Sequence, residues 1–223
     1  MIEKNYHSGK PVVVICNGPS LANVPAKFLN KHITMGSNSV YTRDDFLCDW
    51  YVIEGINHLL TSAERDARMP YIRRVGDNGG YTLVNRRMVQ HFEHLPNVRS
   101  IDYVGPKGER FDTFQTDNPF DHHGTGACVT FAMLQFAYHI TEGPILIVGM
   151  DHSFRAGKWH YYNKADAPEF NEMTEAEYQK FRGRVDPKFR EAASVFHNAG
   201  REIYNLTPDS KCYTFQFDDI EEW

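Results

Sequence analysis

Val12-Val13-Val14-Ile15-Cys16 is apolar at every position and runs straight into Asn17-Gly18-Pro19-Ser20-Leu21. A β-branched run without alternation reads as a strand buried on both faces. The turn after it needs Gly18 for close backbone approach or positive φ, and Pro19 fixes φ for an incoming helical turn. Ser20 is placed to cap the N–H groups that follow. Open parallel sheets use a strand, glycine turn and helix of this kind to bring a helix N-terminus to phosphate. Nucleotide or nucleotide-sugar binding is therefore the first expectation, and a turn with no ligand fits the same residues. Neither G-x-G-x-x-G nor G-x-x-x-x-G-K-[ST] occurs, which sets NAD and P-loop chemistry aside.

Pro144-Ile145-Leu146-Ile147-Val148-Gly149-Met150-Asp151 is a second such run, ending in an acidic residue. Further strands are expected over Ile33 to Asn38, Trp50 to Gly55, Tyr71 to Val75, Val98 to Val104 and Arg201 to Leu206. Helices are expected over Ala22 to Lys31, His58 to Ala67, Val84 to His94, Ala127 to His139 and Pro187 to Ala199, with Gly200 as the C-cap glycine of the last. The segment from Ala127 is apolar around nearly its whole circumference, as a central helix would be. Gly76 to Gly80 and Gly105 to His123 read as loops, and the acidic tail from Asp218 to Trp223 is expected to fray. Phe154 to Phe181 mixes aromatics, charges, glycine and proline and reads as an insertion. The alternation predicts an α/β fold: a Rossmann-like open, mostly parallel sheet with helices on both faces, one domain over residues 1–223 with a lid at 154–181.

The 223 residues suit one such domain. No window of about 18 apolar residues offers a membrane span, and the polar start from Met1 to Lys10 lacks a signal-peptide apolar region. A cytoplasmic, reducing setting is the expectation. Cys16, Cys48, Cys128 and Cys212 show no C-x-x-C spacing and are expected as reduced thiols. A formal charge of −5 argues against a nucleic-acid partner. Arg73-Arg74, Arg86-Arg87 and Arg182-Gly183-Arg184 are local basic clusters that read as solvated faces, with room for one to meet an anionic substrate. Homo-oligomerisation is left open.

Nearly every expected strand ends in a small polar or acidic residue. In open α/β sheets ligands bind beyond the carboxyl ends of the strands, so Asn17, Asn38, Glu54, Asp151 and Thr207 are expected to form one site. His152, directly after Asp151, is the preferred general base because imidazole titrates near neutrality. His160, among Trp159, Tyr161 and Tyr162, is the reserve. Lys158, Arg182 and Arg184 are expected to reach a phosphate from the lid. His122-His123 precedes a Gly-Thr-Gly turn, and Asp117 and Asp121 keep a magnesium role open, although adjacent histidines point to different faces and no metal site is assigned.

The same residues resemble a family. Asn17-Gly18-Pro19-Ser20-Leu21 resembles the G-N-G-P-S-L turn of bacterial CMP-sialic-acid-dependent sialyltransferases. Asn38 followed by Tyr41, Thr125-Gly126 opening a helix, Gly149-Met150-Asp151, and the last strand with Thr207-Pro208-Asp209-Ser210 are similar to that family's later motifs, in order from residue 12 to 210. The frame also resembles motility-accessory flagellin glycosyltransferases and 6-hydroxymethylpterin pyrophosphokinase-like enzymes, to which Asp151-His152-Ser153-Phe154 looks closer. The resemblance implies that Asn17, Gly18, Pro19, Ser20, Thr125 and Gly126 hold the nucleotide and its phosphate and that Asn38 faces the donor. It also implies transfer of a sialic-acid-like sugar from a CMP-activated donor to a hydroxyl acceptor, with no metal cofactor. Three departures stand out. Ser153 and Trp159 fall where the sialyltransferases keep two tyrosines, Gly183 falls at their general-base histidine, and Glu54 replaces a third-strand Asn. The alternatives are a magnesium-dependent pyrophosphokinase, with Asp151, Glu54 or Asp117 at the ion, and a catalytically silent nucleotide-binding module.

Overall fold

The computed structural model describes residues 2–54, 62–102, 112–124, 128–153 and 174–223. Within these residues eight strands form one sheet: β1 (Val12–Ile15), β2 (Ile33–Ser37), β3 (Trp50–Ile53), β4 (Tyr81–Asn85), β5 (Val98–Ile101), β6 (Ile145–Val148), β7 (Ile203–Asn205) and β8 (Gln216–Phe217). Their order is β5-β4-β3-β2-β1-β6-β7-β8, and every neighbouring pair is parallel. Among the described residues four α-helices accompany them: α1 (Ala26–Lys31), α2 (Ser62–Asp77), α3 (Val129–Ile140) and α4 (Glu175–Asn198).

The two apolar runs explain the centre. β1 and β6 lie side by side, Val12 opposite Ile145 through Ile15 opposite Val148. All eight of these side chains are fully buried because side chains alternate between two covered faces. Val12 and Val14 enter a core with α3 and α4, while Val13 and Ile15 enter a second core with α1 and α2. From β1 to β5 the sheet grows in one direction, and from β6 to β8 in the other. Right-handed crossovers require helices on opposite faces when the direction reverses, and the two cores divide the helices that way. The reversal falls between β1 and β6, so the carboxyl ends of these strands flank the crevice where such sheets bind ligands.

Several expected elements are corrected. Tyr71 to Val75 is helical, inside α2, not a strand: Tyr71, Ile72 and Val75 are buried together at helical spacing, and Pro70 is accommodated within the helix. The strand of that region is β4, at Tyr81–Asn85, where a helix from Val84 was expected; only a 3-10 turn, Val89–His91, follows it. α4 starts at Glu175, twelve residues before the expected Pro187. Thr174 and Glu177 form a reciprocal capping box there, and the helix continues through Pro187. Residues 175–181 are thus its first turns, while 154–173 of the expected insertion lie outside the described residues. The Gly200 expectation holds: at φ +64° its N–H reaches His197 O and the Arg201 N–H reaches Phe196 O, a Schellman end. The acidic tail is held rather than frayed. Trp223 packs on Tyr204, donates Nε1–H to Asp218, and accepts from Lys31 Nζ at its carbonyl. No helix among the described residues is long and apolar enough to cross a membrane.

Candidate functional site

At the β1–β6 crevice the Gly18 turn lies against the end of β6. The Cys16 N–H donates to Val148 O and the Gly18 N–H to Gly149 O. Gly18 has an ordinary φ of −70°, so its need is close approach: a Cβ there would overlap Asp151 Oδ2 and Gly149 O. Gly149 has φ +70° and lies against Cys16 O. The expected capping role of Ser20 is corrected. Gly18 is the N-cap of the five-residue 3-10 turn Pro19–Asn23, with Pro19 at its first position and no side-chain cap. Ser20 instead turns toward Asp151, donating Oγ–H to Oδ2 at 2.6 Å and N–H to the two carboxylate oxygens at 3.1 and 3.2 Å. Asp151 is 7% exposed. The donors expected to meet a phosphate are committed to a carboxylate whose charge repels one.

Asn17 ties the ends of β1 and β2 by donating Nδ2–H to Ser37 O at 3.1 Å. Asn38 follows β2 at φ +49°, and its carbonyl accepts from the Tyr51 hydroxyl at 2.5 Å. His152 after β6 and Asp209 after β7 also have positive φ, at 49° and 57°. Left-handed non-glycine residues are uncommon and gather at functional sites; three of the four among the described residues follow strand ends at this edge.

His152 carries the most directed chemistry. Its ring packs against Phe189 and meets Tyr178 edge-on, and Nε2 lies 2.5 Å from Asp186 Oδ1. Asp186 Oδ2 accepts from Arg182 Nη2 at 3.1 Å, one helical turn away on α4. Burial pushes the His152 pKa below its ordinary value despite the Asp186 partner, with the Arg182 charge adding to the depression. Burial alone would raise Asp186, but the hydrogen bond from His152 and the Arg182 guanidinium outweigh it and hold the carboxyl below its ordinary value. The pair is therefore a neutral imidazole donating Nε2–H to a carboxylate, which leaves the lone pair on Nδ1. The sequence reading missed Asp186. Its signal was the spacing of four from Arg182, which places both on one helix face.

Glu54, at the end of β3, lies 2.8 Å from His123 Nε2, and both side chains are buried. Gln135, wholly buried on α3, fixes the segment that carries His123. Its Oε1 accepts from the N–H groups of Gly124 and Gln115, and its Nε2 donates to Gly124 O and Phe131 O.

The structure thus brings Asn17, Gly18, Pro19, Ser20, Asn38, Glu54, Asp151 and His152 to one edge, with Arg182 joined through Asp186. Arg184 is exposed and does not join them, since two residues along a helix is more than half a turn from Arg182. Thr207 is 1% exposed and structural, accepting from the Met150 N–H at 2.9 Å. Thr125, Gly126, Lys158 and His160 lie outside the described residues. Of the carboxylates named for magnesium, Glu54 faces His123, Asp151 faces Ser20, and Asp117 lies beside His139, near the opposite end of α3. Among the described residues no group of three or more His, Cys, Asp or Glu side chains is arranged to hold a metal ion. Cys16, Cys48, Cys128 and Cys212 are all free thiols. No family model, curated protein or solved structure matches this chain.

Proposed function

We propose that the protein is a glycosyltransferase that moves a sialic-acid-like sugar from a CMP-activated donor to a hydroxyl acceptor, with His152 as general base. The observation that carries this reading is the His152–Asp186 pair at the end of β6, beside the crevice where the strand order reverses. An acceptor hydroxyl is a weak nucleophile until a positioned base takes its proton. Neutral His152 has that capacity on Nδ1, and Asp186 stabilises the imidazolium that forms. The acceptor oxygen bonds to the anomeric carbon as the bond to the CMP phosphate breaks, and the phosphate leaves with the electron pair. The motif resemblance supplies the donor class, with Asn17 holding the nucleotide and Asn38 facing the donor. Ser20 and Asp151 shape the wall of the crevice and are not given a phosphate role.

The test is release of CMP from CMP-activated sialic-acid-like donors, with a panel of hydroxyl acceptors and with a chelator present. Turnover by the wild type, lost in His152→Ala, supports the reading. Turnover of ATP with magnesium and none of the CMP donors overturns it.

A further inference from the structure

Arg65 and Arg68 lie three residues apart in the first turns of α2 and so share a helix face. α2 follows β3, the 3-10 turn Asn38–Thr42 follows β2, and the 3-10 turn Val89–His91 follows β4. All three therefore begin at the carboxyl edge of the sheet. Arg68 is only 7% exposed. Its Nη1 donates to Glu64 O at 3.0 Å, its guanidinium lies 4.9 Å from the centre of the Tyr41 ring, and it meets the Tyr51 hydroxyl. Arg65 donates from Nη1 to His91 Nδ1 at 2.8 Å, since a guanidinium has no acceptor. The Nε atoms of both arginines are buried without a hydrogen-bond partner, as are those of Arg182 and Arg201.

Neither arginine forms an ion pair among the described residues, where the ion pairs belong to other side chains. A buried charge is costly unless a counter-charge or enough dipoles compensate it. The other buried or half-buried arginines meet that requirement. Arg43 has both oxygens of Asp45 and two carbonyls, Arg182 has Asp186, and Arg201 has the carbonyls of Tyr138 and Thr141 at the end of α3. Arg65 and Arg68 instead stand near the N-terminal end of α2, where the helix dipole is positive and disfavours cations. The sequence drew attention to Arg73-Arg74 and Arg86-Arg87, yet all four are exposed.

We propose that Arg65 and Arg68 form a binding site for a small oxyanion of the phosphate or carboxylate type, at the carboxyl edge beside the ends of β2, β3 and β4. The planar guanidinium fork suits such a group, and an anion there would supply the counter-charge that the two arginines lack among the described residues. This inference is independent of the transferase reading, because it requires only that an anion neutralise the pair.

The experiment is a thermal-shift titration of the wild type, Arg68→Met and Arg65→Met with inorganic phosphate, acetate and, at matched ionic strength, chloride. The wild type is expected to melt roughly 5–10 °C higher at an anion concentration about 100 times its dissociation constant. Each variant is expected to lose that rise. A larger response to phosphate identifies a phosphoryl ligand, and a larger response to acetate a carboxylate. Equal melting in phosphate, acetate and chloride overturns the site, as does an unchanged phosphate response in Arg68→Met. Should Arg68→Met not fold, the Nε–H resonances of the two arginines in the wild type, followed by NMR during phosphate titration, decide the matter: they move together if the site exists and stay fixed if it does not.

Discussion

Replacing Ser20 and Asp151 by alanine, singly and together, tests whether the glycine turn is clamped from inside the protein. Asp151 accepts the Ser20 hydroxyl at 2.6 Å and the Ser20 N–H at 3.1 and 3.2 Å. Hydrogen bonds to an ionised group contribute about 1.5–3 kcal/mol each. Ser20 is half-buried, so water recovers part of any loss. Ser20→Ala removes the short bond alone and is expected to cost about 1.5–2 kcal/mol. Asp151→Ala removes every acceptor and strands both Ser20 donors, for about 3–4 kcal/mol, or roughly 6–16 °C in melting temperature for a domain of this size. With Asp151 gone, Ser20→Ala has little left to remove. The double variant is expected within about 0.5 kcal/mol of Asp151→Ala, a coupling of about 1 kcal/mol or more. Urea unfolding of the four proteins measures all these quantities. Additive single effects would refute the clamp and return the Ser20 donors to the solvent side, where a phosphate could use them.

Stability is expected to fall as pH drops below about 6.5, the ordinary histidine value. Burial lowers the pKa values of His7, His139 and His152 in the folded state, so the unfolded chain binds more protons there and the slope of stability with pH is positive. His7 has a second reason to stay neutral: its Nε2 accepts the indole N–H of Trp50 at 2.9 Å. Urea midpoints at pH 7.5 and 5.5 check this, and an equal or higher midpoint at pH 5.5 contradicts it. Asp186, held low mainly by the His152 bond against its burial, adds a further loss only at lower pH. Gln135→Leu is expected to destabilise by about 2–4 kcal/mol, because it leaves the buried backbone groups of Gly124 and the half-buried N–H of Gln115 without their partner; a cost under about 0.5 kcal/mol by the same assay would show that the segment is held otherwise. Burial pushes the Cys16, Cys48 and Cys128 thiols up to about 12, and raises Cys212 as well. Native protein is therefore expected to resist an aromatic disulfide reagent at pH 8 and to release the full thiol count only in denaturant.

The centre of the fold was legible because its signals are local. Two unbroken apolar runs could only be strands buried on both faces, and Val12–Ile15 and Ile145–Val148 are adjacent in the sheet. The stretch from Tyr71 to His94 was misread because Pro70 hides a helix and Tyr81-Thr82-Leu83-Val84 follows a pair of glycines. What α2 buries is a spacing of one and four residues, from Tyr71 to Ile72 and Val75, and not an alternation. At the site, strand-end residues were found because a strand and its turn lie together in the chain. Asp186 and His123 were harder. They reach His152 and Glu54 across 34 and 69 residues, and only packing sets which polar side chains meet. The Ser20 turn shows the same limit from the other side: its pattern suits an anion, and the anion it meets is the carboxylate of Asp151, 131 residues away.

The measurement that bears most directly on the proposed chemistry is metal-free CMP release from a CMP-activated sialic-acid-like donor, as a function of pH, for wild type, His152→Ala and Asp186→Asn. A neutral base held by a carboxylate predicts turnover that falls on the acid side as His152 is protonated. The rate is expected to drop about 100-fold or more without the imidazole, and the acid limb to shift when Asp186 loses its charge. Release of CMP at the wild-type rate by His152→Ala, or no release from any CMP donor by the wild type, would contradict it.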